Sequence, residues 1–134
     1  EVLIDASSSG FLSDFGVTRF LEATKEVSLL RCNEDEALIL SGLESLAESV
    51  EFLGQHFPTA VVTQGAEGVW RADRGSVAHI PLSDPVRSVD PTGAGDSFNA
   101  GLLVGLVQGD SLEDAIHRGS AVAALCITKA GARP

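Results

Sequence analysis

The segment Val89–Gly101 joins a glycine-rich turn to a single carboxylate, and these residue types suit chemistry on an anion. A strand-like stretch ends in Gly93-Ala94-Gly95-Asp96, which opens directly into an apolar run from Phe98 to Val107. The first backbone N–H groups of a helix have no intrahelical acceptors, and the helix dipole adds positive potential there. An anion site with Asp96 beside it predicts phosphoryl transfer. The alternative is a tight turn in which Asp96 only caps the helix.

Spacing excludes two better-known glycine motifs at this turn. A dinucleotide-binding G-x-G-x-x-G would need glycine at position 98, which is Phe98. A hydrolase G-x-S-x-G around Ser97 would need glycine at position 99, which is Asn99. The turn is therefore interpreted as neither a dinucleotide fingerprint nor a nucleophile elbow.

A second candidate is the acidic segment Asn33-Glu34-Asp35-Glu36. Asn33 and Glu36 have the spacing of a capping box, which would start a helix without any further role. They could also face a cleft, where Glu36 would hold Mg²⁺ through water, because Mg²⁺ keeps much of its hydration shell and takes few carboxylates. The two interpretations are compatible.

The third candidate is the loop Thr63-Gln64-Gly65-Ala66-Glu67-Gly68, which follows a buried strand. The carboxyl ends of strands are where open α/β sheets bind ligands. The alternative is a connecting turn whose glycines supply positive φ angles.

The remaining polar groups indicate structure rather than chemistry. Ile127–Arg133 reads as a helix end in which Gly131 terminates the helix and Lys129 and Arg133 complement its negative pole. The three histidines have no mutual spacing typical of a metal site or a triad, and we interpret them as structural or surface residues: His56, His79 and His117.

Composition indicates one globular domain and argues against two classes of partner. The chain has 134 residues, 44% of them hydrophobic, with no apolar run of membrane-spanning length and no leader. Its net charge of −10 and its scattered Lys and Arg residues argue against nucleic-acid binding. Cys32 and Cys126 are expected to be buried thiols of a reducing cytoplasm. Both chain ends look cut from something longer.

Hydrophobic periodicity predicts strands that alternate with helices and then a hairpin. This order favours a three-layer α/β/α domain with a mostly parallel, Rossmann-like sheet and a terminal antiparallel hairpin. The predicted strands are 1–6, 27–30, 59–63, 68–72 and 76–80, the last two joined by Asp73-Arg74-Gly75. The predicted helices are 13–25, 33 to Gly42, Leu43–Leu53, the apolar run Phe98–Val107 and Leu112–Ile127, the last opened by a capping box at Ser111.

Taken in this order, the segments resemble the ribokinase/PfkB family of carbohydrate and nucleoside kinases. Val89–Gly101 is similar to the family signature D-T-x-G-A-G-D-[ST]-F-x-x-G, with Pro91 in place of the commoner threonine. Asn33–Glu36 is similar to its N-x-x-E element, and Thr63–Gly68 to its T-x-G-x-x-G loop. The resemblance covers residues 1–134 but only the C-terminal half of a typical member, so a ribokinase-like fold is implied for that portion only.

The resemblance implies a role for each matching position. Asp96 would contact the substrate and act as general base toward a sugar hydroxyl, and the backbone of Gly93, Ala94 and Gly95 would form the anion hole. Asn33 and Glu36 would organise Mg²⁺ and the triphosphate of ATP. The nucleotide site would further include Thr63, Gly65, Glu67, Gly68 and Ser120, the last near the adenine.

The resemblance also implies a monovalent-cation site, with K⁺ as the candidate ion. Its ligands would be Asp90 and Thr92 with carbonyls around Ile127, Ala130 and Ala132. The implied partner is a small sugar or nucleoside, with neither nucleic acid nor membrane.

The family's N-terminal sugar-binding and lid half has no counterpart in this sequence. We therefore expect the chain alone to be inactive, and its exposed sheet edge to favour a homo-oligomer such as a dimer. Two alternatives stay open: a non-catalytic nucleotide-binding module, and a vitamin-type kinase of the same superfamily.

Overall fold

The computed structural model describes residues 2–82, 86–128 and 130–131. These residues form two compact units, one up to Pro81 and one from Leu82 onward.

The first unit is built on a five-stranded mixed sheet whose spatial order follows the chain. Its first three strands are parallel and its last two form an antiparallel hairpin, as the sequence predicts. The strands are β1 (Leu3–Asp5), β2 (Leu29–Asn33), β3 (Thr59–Thr63), β4 (Val69–Asp73) and β5 (Ser76–Ile80).

Four helices belong to this unit and share one hydrophobic core with the sheet. They are α1 (Ser9–Phe15), α2 (Val17–Ala23), α3 (Glu34–Ser41) and α4 (Leu46–His56). Alternate strand residues face this core, because successive side chains of a strand point to opposite faces. Leu12, Leu40 and Leu53 pack there against Leu30 and Val62, all of them buried.

The predicted single helix over residues 13–25 is wrong, because the chain forms two short helices there. Gly16 has φ 93°, outside the helical region, and its N–H donates to the carbonyl of Leu12 to end α1. Its own carbonyl accepts from the N–H of Phe20, which starts α2. The prediction followed the hydrophobic spacing and gave too little weight to Gly16, since glycine readily adopts φ angles outside the helical region.

Several other boundaries differ from the predictions: β1 spans Leu3–Asp5 rather than residues 1–6, and β4 spans Val69–Asp73 rather than residues 68–72. β2 begins at Leu29 rather than Val27 and continues to Asn33. Because Asn33 is also the N-cap of α3, the strand leads into the helix without a loop. The helix predicted from Leu43 begins at Leu46, because the Ser45 hydroxyl accepts from the Glu48 N–H and supplies the cap. The hairpin turn is confirmed, with Arg74 and Gly75 at φ 47° and 83°.

The second unit is a pair of closely packed helices, α5 (Ala94–Gln108) and α6 (Leu112–Ile127). Glycines occupy the closest approach of the pair. A Cβ atom on Gly101 would lie 2.8 Å from the Cα of Gly119 and 2.9 Å from the carbonyl oxygen of Arg118. The predicted cap of α6 is confirmed, since the Ser111 hydroxyl accepts from the Asp114 N–H.

Both cysteines are buried and free, as predicted. Burial raises the pKa of the Cys32 thiol well above its ordinary value, which keeps it protonated and unreactive. Within the described ranges, no helix has the length and apolar character needed to cross a membrane.

We expect Gly101→Ala to lower the free energy of unfolding by about 1–3 kcal/mol, because the added methyl group must push α5 and α6 apart. Gly10→Ala is the matched control: its methyl group meets only the Ser8 hydroxyl, at 4.0 Å, and should be neutral or stabilise α1 by up to about 1 kcal/mol. Urea unfolding followed by far-ultraviolet circular dichroism measures both. Equal stability of Gly101→Ala and the unmodified chain would contradict this packing.

Candidate functional site

The parallel pairing of β2 and β3 brings two of the predicted motifs together. Asn33 and Thr63 are the last residues of their strands and are direct partners in the ladder. The start of α3 and the Thr63–Gly68 loop therefore lie side by side at the carboxyl edge of the sheet. Open α/β sheets bind ligands at this edge.

Asn33 and Glu36 form the predicted capping box. The Asn33 side chain accepts from the N–H of Glu36 at 2.9 Å, and the Glu36 carboxylate accepts from the N–H of Asn33 at 2.8 Å. Glu36 is only 2% exposed, whereas Glu34 is half-buried and Asp35 is exposed. The box thus orders the first turn of α3, where the helix dipole favours negative charge.

The Thr63–Gly68 loop needs both of its glycines. Gly65 begins a short 3₁₀ turn with φ 54°. Gly68 has φ 115°, and a Cβ atom there would lie 2.2 Å from the carbonyl oxygen of Ile80 on β5. Glu67 lies at the exposed end of the turn. The loop backbone is therefore held close to β5 in a shape that only glycine permits at position 68.

Two polar networks at this edge were missed by reasoning from the sequence. Arg31, 7% exposed, donates to the Asp5 carboxylate at 3.0 Å and to the Thr63 hydroxyl at 2.9 Å, which links three strands. Gln64 joins Trp70 and Glu34 by two hydrogen bonds. The only local signal of the Arg31 network was a basic residue within a buried strand, two positions before Asn33. No local signal indicated the Gln64 network.

The second unit presents the start of α5 as a backbone donor site. Gly93 occupies the N-cap position with φ 79° and has no side chain to cap the helix. The N–H of Ala94 donates to the carbonyl of Pro91. Among the described residues no acceptor meets the N–H groups of Gly95 and Asp96, which leaves both donors available to a bound anion.

The Asp96 carboxylate lies in the first turn of α5 and is exposed. Within the described part of the chain it accepts no hydrogen bond, so it does not close a capping box with Gly93. The interpretation of Asp96 as a simple helix cap therefore has no hydrogen bond to support it.

The residues implied for the cation site cluster around the end of α6. The Asp90 carboxylate accepts from the N–H of Thr92 at 2.9 Å and from that of Gly131 at 3.0 Å. The carbonyl of Ile127 accepts from the N–H groups of Val89 and Asp90. Ala130 is exposed next to Gly131, whereas Ala132 lies outside the described residues.

Ser120, predicted to lie near the adenine, is in the second unit. Ser120 is half-buried on α6, one residue after the glycine that packs against Phe98. No group of three or more His, Cys, Asp or Glu side chains is arranged to hold a metal ion among the described residues.

Asp90 makes the second unit sensitive to acid. Hydrogen bonds from the Thr92 side chain, the Gly131 N–H and the Thr92 N–H lower the pKa of its carboxyl from 3.8 to about 2. A pKa lowered by folding stabilises the fold above the unfolded value, and this contribution is lost as the pH falls through the folded value. We expect the stability difference between the unmodified chain and Asp90→Asn to shrink between pH 3.8 and about 2. Thermal unfolding across that range tests this, and a constant difference would contradict it.

Known proteins match nearly the whole chain in sequence and in structure. The chain is 32% identical to a ribokinase of Haemophilus influenzae over 139 aligned residues, which cover 99% of this chain and 43% of that protein. The solved structure of an adenosine kinase from Sinorhizobium meliloti matches with a TM-score of 0.92 at 31% identity, over 100% of this chain and 41% of that one. The chain thus spans less than half the length of these relatives.

A fructokinase from Vibrio cholerae, solved with fructose, ADP and calcium ion bound, matches with a TM-score of 0.87 at 28% identity, over 98% of this chain and 46% of that one. These matches confirm the predicted ribokinase-like α/β fold. The profile of the pfkB family carbohydrate kinases matches residues 6–134, and the chain therefore belongs to that family.

Proposed function

We propose that this chain is the nucleotide-binding and catalytic portion of a kinase that transfers a phosphoryl group from ATP to a hydroxyl of a sugar or sugar-like substrate. The observation that carries the proposal is the start of α5, where the N–H groups of Gly95 and Asp96 have no acceptor among the described residues and lie beside an exposed carboxylate. Membership of the pfkB family supports the same chemistry.

Asp96 is the proposed general base. Its exposed carboxylate accepts no hydrogen bond from the described residues and can take the proton of an attacking hydroxyl. A general base contributes on the order of 10²–10⁴ in rate.

The backbone of Gly93–Gly95 is the proposed anion hole. It would stabilise the charge on the transferring phosphoryl group, and removal of one such donor typically costs about 10²–10³ in rate. Preorganised dipoles suit this reaction, because phosphoryl transfer depends mainly on positioning and charge stabilisation.

In the first unit, the Thr63–Gly68 loop and the Asn33–Glu36 turn are proposed to bind ATP and orient its Mg²⁺ through water. The Glu36 carboxylate is buried and held by the Asn33 N–H, so it fixes the start of α3 that would face the hydrated ion. When bound, Mg²⁺ neutralises charge on the phosphate oxygens. Ser120 is proposed to lie near the adenine.

A monovalent cation such as K⁺ is proposed for the cluster around Asp90, with Thr92 and the carbonyls of Ile127, Ala130 and Ala132. Hard cations prefer oxygen ligands, which this set supplies. The Ile127 carbonyl already accepts two N–H groups and would have to release one of them to bind the ion.

Most of the phosphoryl acceptor's contacts, apart from the one to Asp96, are proposed to come from outside this segment, since the chain spans only 41–46% of the kinases whose structures it matches. Fructose in the Vibrio cholerae structure and the adenosine kinase match favour a sugar or nucleoside hydroxyl. Which sugar is accepted would then be decided by residues that this segment does not contain.

We expect the chain to bind ATP with Mg²⁺, and an inert ATP analogue equally, without needing the acceptor. Isothermal titration calorimetry measures this, and we expect dissociation constants in the range of about 1 μM to 1 mM that is usual for enzyme substrates. Absence of saturable binding of both ligands would overturn the proposed function.

Asp96→Asn should lower kcat by about 10²–10⁴ in the kinase that carries this segment, because the amide cannot accept the substrate proton. Affinity for ATP with Mg²⁺ should be unchanged. Asp14→Asn is the matched control, since Asp14 is also exposed but lies on α1. Turnover of Asp96→Asn close to that of the control would refute the assignment of the base.

A further inference from the structure

Gln64 lies at the centre of a chain of three side chains from three elements. The indole Nε1 of Trp70, on β4, donates to Gln64 Oε1 at 3.0 Å. Gln64 Nε2 donates to Glu34 Oε1 at 3.1 Å, and Glu34 is the first residue of α3. The Gln64 amide thus links the loop after β3 to α3 on one side and to β4 on the other.

The orientation of this amide is determined by chemistry. An indole N–H can only donate a hydrogen bond, so the amide oxygen must face Trp70. The amide NH₂ group then faces Glu34, whose carboxylate accepts it. The Gln64 side chain therefore has a single arrangement that satisfies both partners.

The backbone of Gln64 also closes the loop on itself. Its N–H donates to the carbonyl of Gly68 at 2.8 Å, and its carbonyl accepts from the N–H of Glu67 at 3.0 Å. A displacement of α3 relative to β4 would therefore strain hydrogen bonds of the residue that shapes the loop.

Glu34 and Glu36 differ in what they offer at the start of α3. Glu36 is 2% exposed and committed to the capping box, whereas Glu34 is half-buried and is held by Gln64. The carboxylate that remains partly open to solvent beside Asn33 is thus the one whose position depends on the loop.

We propose that Gln64 is a positioning residue that couples the Thr63–Gly68 loop to the carboxylate of Glu34, so that ATP and Mg²⁺ strengthen each other's binding. This rests on the proposed function, in which the loop binds the nucleotide and the start of α3 faces the hydrated ion. A ligand that orders the loop orders Glu34 through the amide, and the reverse effect has the same magnitude, because coupling between two sites is reciprocal.

The test is calorimetric titration of ATP with and without Mg²⁺ into the unmodified chain, Gln64→Leu and Gln64→Met. Leucine and methionine remove both hydrogen bonds and keep much of the side-chain volume. The measured quantity is the dissociation constant of ATP without Mg²⁺ divided by that with Mg²⁺. We expect this ratio to fall by about fivefold or more in both variants, since fivefold is the lower end of typical coupling between sites. Two variants are used so that poor folding of one leaves the other to decide.

Gln55→Leu is the matched control, because the same change is made at an exposed position of α4 and should leave the ratio unchanged. Trp70→Phe removes the indole donor together with part of the ring that contacts His79. It should lower the ratio partly, with no further effect on the ratio once Gln64 is replaced. If the ratio in Gln64→Leu and Gln64→Met equals that of the unmodified chain, the inference is overturned, whereas the proposed function stands as long as ATP binds.

If the unmodified chain does not bind ATP at all, the proposed function is overturned, and the inference with it.

Discussion

The parallel ladder between β2 and β3 is the constraint on which the first unit's candidate site depends. Its register sets Asn33 beside Thr63, so the turn that starts α3 and the loop that leaves β3 emerge next to each other. A register shift of one residue would turn every side chain of a strand to the other face. The Arg31 link to Thr63 and the Gln64 bridge both require this alignment.

In both units, glycine provides backbone shapes that side chains could not support. Gly68 lies against the carbonyl of Ile80 with a positive φ, and Gly93 begins α5 in the left-handed region without a capping side chain. Each glycine occurs in a segment where backbone groups rather than side chains are proposed to meet phosphate. The use of backbone groups is consistent with membership of the pfkB family of carbohydrate kinases, since phosphoryl transfer needs fixed donors more than reactive side chains.

Local signals in the sequence predicted local structure well. The Asn33 cap, the β3 bounds and the Arg74-Gly75 turn depend on neighbouring residues, and all three are confirmed. The break at Gly16 was missed because a single glycine is compatible with a helix until tertiary packing decides. The Gln64 bridge was not predictable, because Glu34 lies thirty positions away along the chain and meets Gln64 only after β2 and β3 pair.

We propose that backbone N–H groups of this chain bind the phosphates of ATP. Titration with an inert ATP analogue and Mg²⁺, followed through the amide ¹H and ¹⁵N chemical shifts, reports on these groups one by one. We expect saturable shifts for the amides of Gly95 and Asp96 at the start of α5, and for those of Gly65 and Gly68 in the loop after β3. Saturable binding that leaves the Gly95 and Asp96 amides unchanged would contradict this proposal.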